Sequence, residues 1–163
     1  MKLLRTATAS RTPRTIDAQR VALFYAAILA VMAVAQLYTF DHFLELVLTF
    51  GLPGQAATAY FLAAFLVTCE VLALPFLLRM PLSPAFRWVS MALGWIVAGL
   101  WIVLTIGLFL QGTVGNVGFL GTVLEILPSW WTIYISLMFG FVAGWSSWGL
   151  WPGYNGKKEM RNT

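Results

Sequence analysis

Long uncharged apolar runs organise this chain, in place of the alternation of a half-buried strand or the narrow stripe of a surface helix. A bilayer core about 30 Å thick asks for roughly 20 apolar residues per spanning helix. Four stretches meet that length: residues 21–40, 56–78, 88–110 and 131–150, uncharged throughout except for Glu70 in the second. Uninterrupted runs of this kind predict an all-α integral membrane four-helix bundle; the strands of a β-barrel would be shorter and alternating. The membrane domain then covers residues 21–150, with tails at 1–20 and 151–163 and no separate soluble domain.

Proline and glycine fall between the runs. Leu52-Pro53-Gly54 precedes the second span, Pro81 and Pro84 bracket the short turn after it, Pro128 precedes the fourth and Pro152 follows it. Pro75 lies inside the second span, where it should free a carbonyl near Val71 and bend the helix. Trp88, Trp130, Trp131, Trp148 and Trp151 sit at span ends, as interfacial anchors do. Small residues recur four apart as Ser90, Gly94 and Ala98 on the third span and Ser136, Gly140 and Gly144 on the fourth. Such ridges let helices approach closely within lipid, and packing inside one chain is the reading preferred over a homodimer contact.

Composition agrees with the pattern. The 163 residues are 60% apolar and only 10% charged, against about 25% charged in soluble domains, and mean hydropathy is +0.82. The net charge of +4 is a topology signal, since all ten Lys and Arg lie in the two tails or the 79–87 turn. The segments 41–55 and 111–130 contain none and carry Asp41, Glu45 and Glu125 instead. The positive-inside rule therefore predicts that both termini are cytoplasmic. Nucleic acid is not an expected partner; the lipid bilayer is, with a weak attraction of the basic tails to anionic lipid. Residues 1–20 overlap in composition with a transit peptide, but read more simply as a positive-inside tail.

Chemistry has few candidates. Glu70 is the one charge-capable residue within a span, about 21 Å from the outer end of its helix at 1.5 Å per residue. An acid at that depth is expected to be neutral, hydrogen-bonded, or facing a wet or ligand-filled cavity. Tyr25, Trp95 and Trp145 or Ser146 fall at similar depth, so a ligand or proton site at Glu70 with Tyr25 and Trp95 as neighbours stands beside a plain helix-joining acid. No catalytic residue is assigned. Cys69 is the only cysteine, and without a resolving thiol a structural role is expected. Asp41, His42 and Glu45 cluster where the first span ends; His42 and Glu45 share a helix face, as one arm of a metal site would. An interfacial amphipathic segment through Phe43, Leu46, Val47 and Phe50 explains them more simply, and no metal is expected. The segment 111–130 is rich in glycine, without the lysine and spacing of a phosphate loop. Its apolar part, residues 120–127, lies along the interface or re-enters the bundle.

The order of these parts resembles the DoxX-like membrane proteins, including the MauE branch. The resemblance rests on Phe40-Asp41-His42-Phe43-Leu44, on Leu52-Pro53 leading into a span with Glu70, and on a glycine-rich segment leading into Pro128-Ser129-Trp130-Trp131, and covers residues 18–150. It implies a small four-helix subunit or maturation factor of a redox system, with a quinone as the associated cofactor and the bacterial inner membrane as its location. MauE-like proteins often carry a cysteine pair before the fourth span, where this chain reads Gly115-Asn116-Val117-Gly118-Phe119, so thiol–disulfide exchange by this chain alone is excluded. The expected function is an accessory, non-catalytic subunit of a quinone-linked redox complex, with other membrane or redox subunits as partners. The alternatives are a structural or assembly subunit without chemistry of its own and, third, a proton-coupled small-molecule transporter using Glu70. Whether Glu70 lines a cavity or is sealed by helix contacts separates them.

Overall fold

The computed structural model describes residues 12–112 and 115–152, with only the backbone of Gln55. Lys2, Arg5, Arg11, Lys157, Lys158 and Arg161, which contribute to the basic tails, lie outside the described residues. Five α-helices follow in order: α1 (Ile16–Tyr38), α2 (Phe40–Leu48), α3 (Gln55–Leu77), α4 (Pro84–Leu110) and α5 (Trp130–Gly149). Among the described residues there is no strand. Three helices, over Ile16–Tyr38, Ala56–Leu77 and Pro84–Leu110, are long and apolar enough to cross a membrane.

Two helices start earlier than their apolar runs because capping residues lie upstream. Thr15 accepts a hydrogen bond from Ala18 N at 3.1 Å, with Asp17 in the first turn of α1. Ser83 accepts from Phe86 N at 3.3 Å, and Pro84 occupies the first position of α4, where its missing N–H costs nothing. At α5, Ser129 and Thr132 form a reciprocal capping box.

Helix α1 packs on α3 and α5, and α4 packs on the same two, closing a ring of contacts; α2 lies against α3. The pairs run antiparallel. Glu70 meets Trp101 and Phe76 meets Ser90 across α3 and α4, while a Cβ on Gly149 would collide with Ala18 across α5 and α1. One end of the molecule gathers the described basic residues: Arg14 N donates to Gly149 O at 3.0 Å, and Arg79 and Arg87 line a small cleft with Leu150 and Pro152.

The small-residue ridges lie at helix contacts, that of α4 buried and Gly140 and Gly144 of α5 half-buried. Ser90, Gly94 and Ala98 are buried, and a Cβ on Gly94 would lie 3.7 Å from Ala73 and 3.8 Å from Tyr25. A Cβ on Gly140 would come within 3.2 Å of Ile102, and one on Gly144 within 3.3 Å of Trp95, so the α5 ridge faces α4. Helix α3 continues through Pro75 to Leu77, because Ser90 on α4 enters the interrupted ladder. Its hydroxyl accepts from Phe76 N at 3.1 Å and donates to Leu72 O at 2.6 Å. A neighbouring serine thus re-satisfies the backbone that the proline disturbs, as the apolar setting requires.

Candidate functional site

Glu70, fully buried on α3, is the centre of a polar cluster joining three helices and a loop. Its Oε1 accepts from Trp101 Nε1 on α4 at 3.1 Å and from Gln36 Nε2 on α1 at 3.3 Å. The same Gln36 nitrogen donates to the carbonyl of Phe119 at 3.0 Å. Gln36 and Trp101 are themselves fully buried. Below them Thr105 donates to the Trp101 carbonyl, so the helix carrying the indole is bonded locally as well.

The loop before α5 completes the enclosure. Residues Val117 and Phe119 are buried, and the Phe119 ring lies 4.7 Å from Trp101 and 5.5 Å, edge-on, from Phe139. The chain can turn here because Asn116 acts as an internal scaffold. Its Oδ1 accepts from Gly118 N and Ile126 N, each at 3.0 Å, and its Nδ2 donates to Gly121 O at 2.9 Å. Gly118 and Gly121 have φ of 89° and 59°, and a Cβ on Gly121 would lie 3.2 Å from both Ala35 O and Gln36 Cα. Only glycine takes that backbone conformation so close to α1 without strain. Thr39 Oγ1 then accepts from Thr122 N at 3.3 Å, tying the loop to the end of α1. Residues 117–121 enter between the helices; of the apolar part 120–127, Gly121 is buried, while Val123, Leu124 and Leu127 stay exposed at the surface.

Two polar atoms of the cluster, Glu70 Oε2 and Gln36 Oε1, are buried with no hydrogen-bond partner. Both are acceptors, and every donor of Gln36 and Trp101 is already used. Buried acceptors are usually matched by a donor. The carboxylic acid form of Glu70 carries one on Oε2; the carboxylate does not.

The two neighbours anticipated for Glu70 are engaged elsewhere. Tyr25, buried on α1, donates its hydroxyl to Gly94 O at 2.9 Å and so pins α1 to α4. Trp95 donates to Ser147 Oγ at 2.9 Å and is half exposed. The direct partners are Gln36 and Trp101. Sequence reasoning passed over both, although Gln36 is the only amide in any of the four apolar runs and Trp101 lies away from the span ends. Cys69 is buried beside Glu70, with 1% of its surface accessible.

At the opposite end from the arginines, α2 buries Phe43 and Val47 against the helices and turns His42 and Glu45 outward. His42 Nδ1 is 3.6 Å from Glu45 Oε2, with both side chains about three-quarters exposed. Among the described residues no group of three or more His, Cys, Asp or Glu gathers in metal-binding geometry. No protein family, no curated protein and no solved structure matches this chain.

Proposed function

We propose that this chain is a four-span membrane subunit, with α5 as the fourth spanning helix, that serves as a non-catalytic accessory component of a quinone-linked redox complex. The observation that carries the accessory role is the closure of Glu70. It is fully buried, bonded from α1 and α4, and roofed by Phe119. A proton carrier or ligand site needs access to its acid, whereas a clasp needs enclosure and partners. The assignment to a quinone-linked complex of the bacterial inner membrane rests on the resemblance of residues 18–150 to DoxX-like proteins.

The fourth span is supported by its length of 20 residues, its lack of any Asp, Glu, Lys or Arg, and its packing against α1 and α4. Its Trp, Tyr, Ser and Gly content leaves it outside the three helices that are long and apolar enough to cross a membrane. Cytoplasmic termini are supported by the ten-to-none distribution of Lys and Arg, with the described arginines at one end and Asp41, Glu45 and Glu125 on the segments that join the helices at the other. Reporter fusions after Gln55 and after Gly121 should report a non-cytoplasmic location; cytoplasmic behaviour of both would reverse the orientation.

The deciding experiment is isolation from native membranes in mild detergent, with identification of the co-purifying chains and lipophilic cofactors. Stoichiometric redox subunits are expected. A chain that purifies alone and itself reduces or oxidises quinone refutes the accessory role.

A further inference from the structure

Single exposed apolar residues are ordinary, but a run of them on one irregular segment marks a surface that meets something apolar. Residues 122–131 are such a segment. They lead from the end of α1, where Thr39 Oγ1 accepts from Thr122 N at 3.3 Å, into the first turn of α5, capped by Ser129. Val123, Leu124 and Leu127 are each more than half exposed, and Trp130 and Trp131 more so. Glu125 is the one charged residue among the ten.

Continuity with the helices on either side says what this surface meets. On α1, Val31, Val34 and Tyr38 are spaced three and four apart, so they share one helix face, and all are more than half exposed. That helix is long and apolar enough to cross a membrane, and its exposed face ends beside Thr39, to which Thr122 is bonded. On α5, Trp131, Tyr134 and Met138 repeat the spacing and the exposure from the first turn onward. The segment therefore joins the ends of two exposed apolar stripes, and what covers the stripes continues onto it.

The backbone sets the depth. Irregular chain is not tolerated facing hydrocarbon, where its polar groups would go unmet. Much of this segment is bonded within the protein: Val123 N donates to Leu120 O at 3.2 Å, Ile126 N to Asn116 Oδ1 at 3.0 Å and Ser129 N to Thr132 Oγ1 at 2.9 Å. The remaining groups need water or headgroups within reach. Paired tryptophans suit the same boundary, since an indole has an apolar body and a polar N–H.

We propose that residues 122–131 form an interfacial foot at the end of the molecule opposite the arginines. It lies in the boundary between headgroups and acyl chains, with Val123, Leu124, Leu127, Trp130 and Trp131 against lipid.

The test is spin labelling of the full chain in lipid nanodiscs, in a C69A background, with collision measured against oxygen and a water-soluble nickel chelate. Labels at L124C and L127C should favour oxygen, as should one at M138C within α5, while E45C on α2 should favour nickel. All four sites are exposed, and unchanged thermal melting checks that packing is kept; V123C replaces a loop variant that melts early. The proposal rests on α5 as the fourth span, and M138C separates the two. Oxygen at M138C with nickel at the loop sites overturns the foot alone; nickel at M138C overturns the four-span reading and the foot with it. Low collision with both agents at the loop sites means cover by protein and also overturns it. In native membranes a photo-cross-linker at Leu124 should yield lipid adducts, and a stoichiometric adduct with another chain refutes the proposal.

Discussion

The junction of α1, α3 and α4 around Glu70 and the junction of α4 with α5 meet the same demand by opposite means. Lipid tails are as apolar as leucine, so with α5 as the proposed fourth span neither junction would be driven by hydrophobic burial, and each would need another reason to hold. The first uses direction: Glu70 Oε1 takes hydrogen bonds from two helices, and Gln36 passes the connection on to Phe119 O. The second uses proximity: Gly140 and Gly144 admit Ile102 and Trp95 to the α5 backbone, with Trp95–Ser147 as a single polar addition. A polar junction concentrates its failure in a few atoms, because removing one partner leaves the others buried and unpaired. A small-residue junction spreads its failure over many weak contacts.

Glu70→Leu should therefore have the largest effect, leaving the Trp101 N–H and one Gln36 bond unmet at a cost of about 1–3 kcal/mol. Glu70→Gln offers the same accepting oxygen and should stay within about 1 kcal/mol of the native chain, with activity of any associated complex retained. Unfolding in mixed micelles with increasing denaturing detergent measures both. A normally folded Glu70→Gln protein without function would move Glu70 from the clasp to proton transfer. Infrared spectroscopy at pH 7 should contain a carboxylic C=O band that Glu70→Gln removes, since the acid form supplies a donor where Glu70 Oε2 and Gln36 Oε1 have none. A carboxylate signature there contradicts the donor argument.

Gln36→Leu should cost somewhat less, about 1–2 kcal/mol, and its distinctive signature should lie in the loop. The Phe119 carbonyl loses its donor, so amide exchange over residues 117–121 should accelerate while α5 stays protected. Exchange that rises equally in both would show the loop and α5 opening as one unit.

Gly144→Ala tests the other junction. The added Cβ would sit 3.3 Å from the flexible rim of Trp95, a contact the indole can yield to by a small shift. A loss of no more than about 1 kcal/mol is expected, at the low end of overpacking costs. A loss as large as that of Glu70→Leu would erase the contrast between the junctions. Smallest of all is the response of Cys69. Buried beside the clasp, it should not react with a charged maleimide in the folded protein, and Cys69→Ala should retain function. Rapid labelling would reveal a wet path to Glu70.

Much of the helical framework could be read in one dimension. Runs of apolar residues and their capping signals carry helix position, and the amphipathic spacing of Phe43, Leu46, Val47 and Phe50 marks α2, on which Phe43 and Val47 are buried and Leu46 half-buried, with Phe50 buried just past its end. The partners of Glu70 were harder to see. Depth along ideal spans suggested Tyr25 and Trp95, yet depth leaves open which face of a helix a side chain occupies. Tyr25 turns to Gly94 O and Trp95 to Ser147, while Gln36, two residues from the end of α1, reaches Glu70.

By itself the sequence determined that the chain is helical, that long helices are apolar enough for a bilayer, and that a lone acid is placed in one of them. Those properties follow from local composition, because the backbone must bond to itself wherever water is absent. Tertiary structure alone decided that the 117–121 segment descends between the helices to roof the acid, and that Ser90 enters the backbone beside Pro75. Both depend on partners 14 to 83 residues away in the chain. Hydrogen bonds over such separations are chosen by how the helices rotate against one another, and a linear pattern of apolar residues does not encode that rotation when every face is apolar.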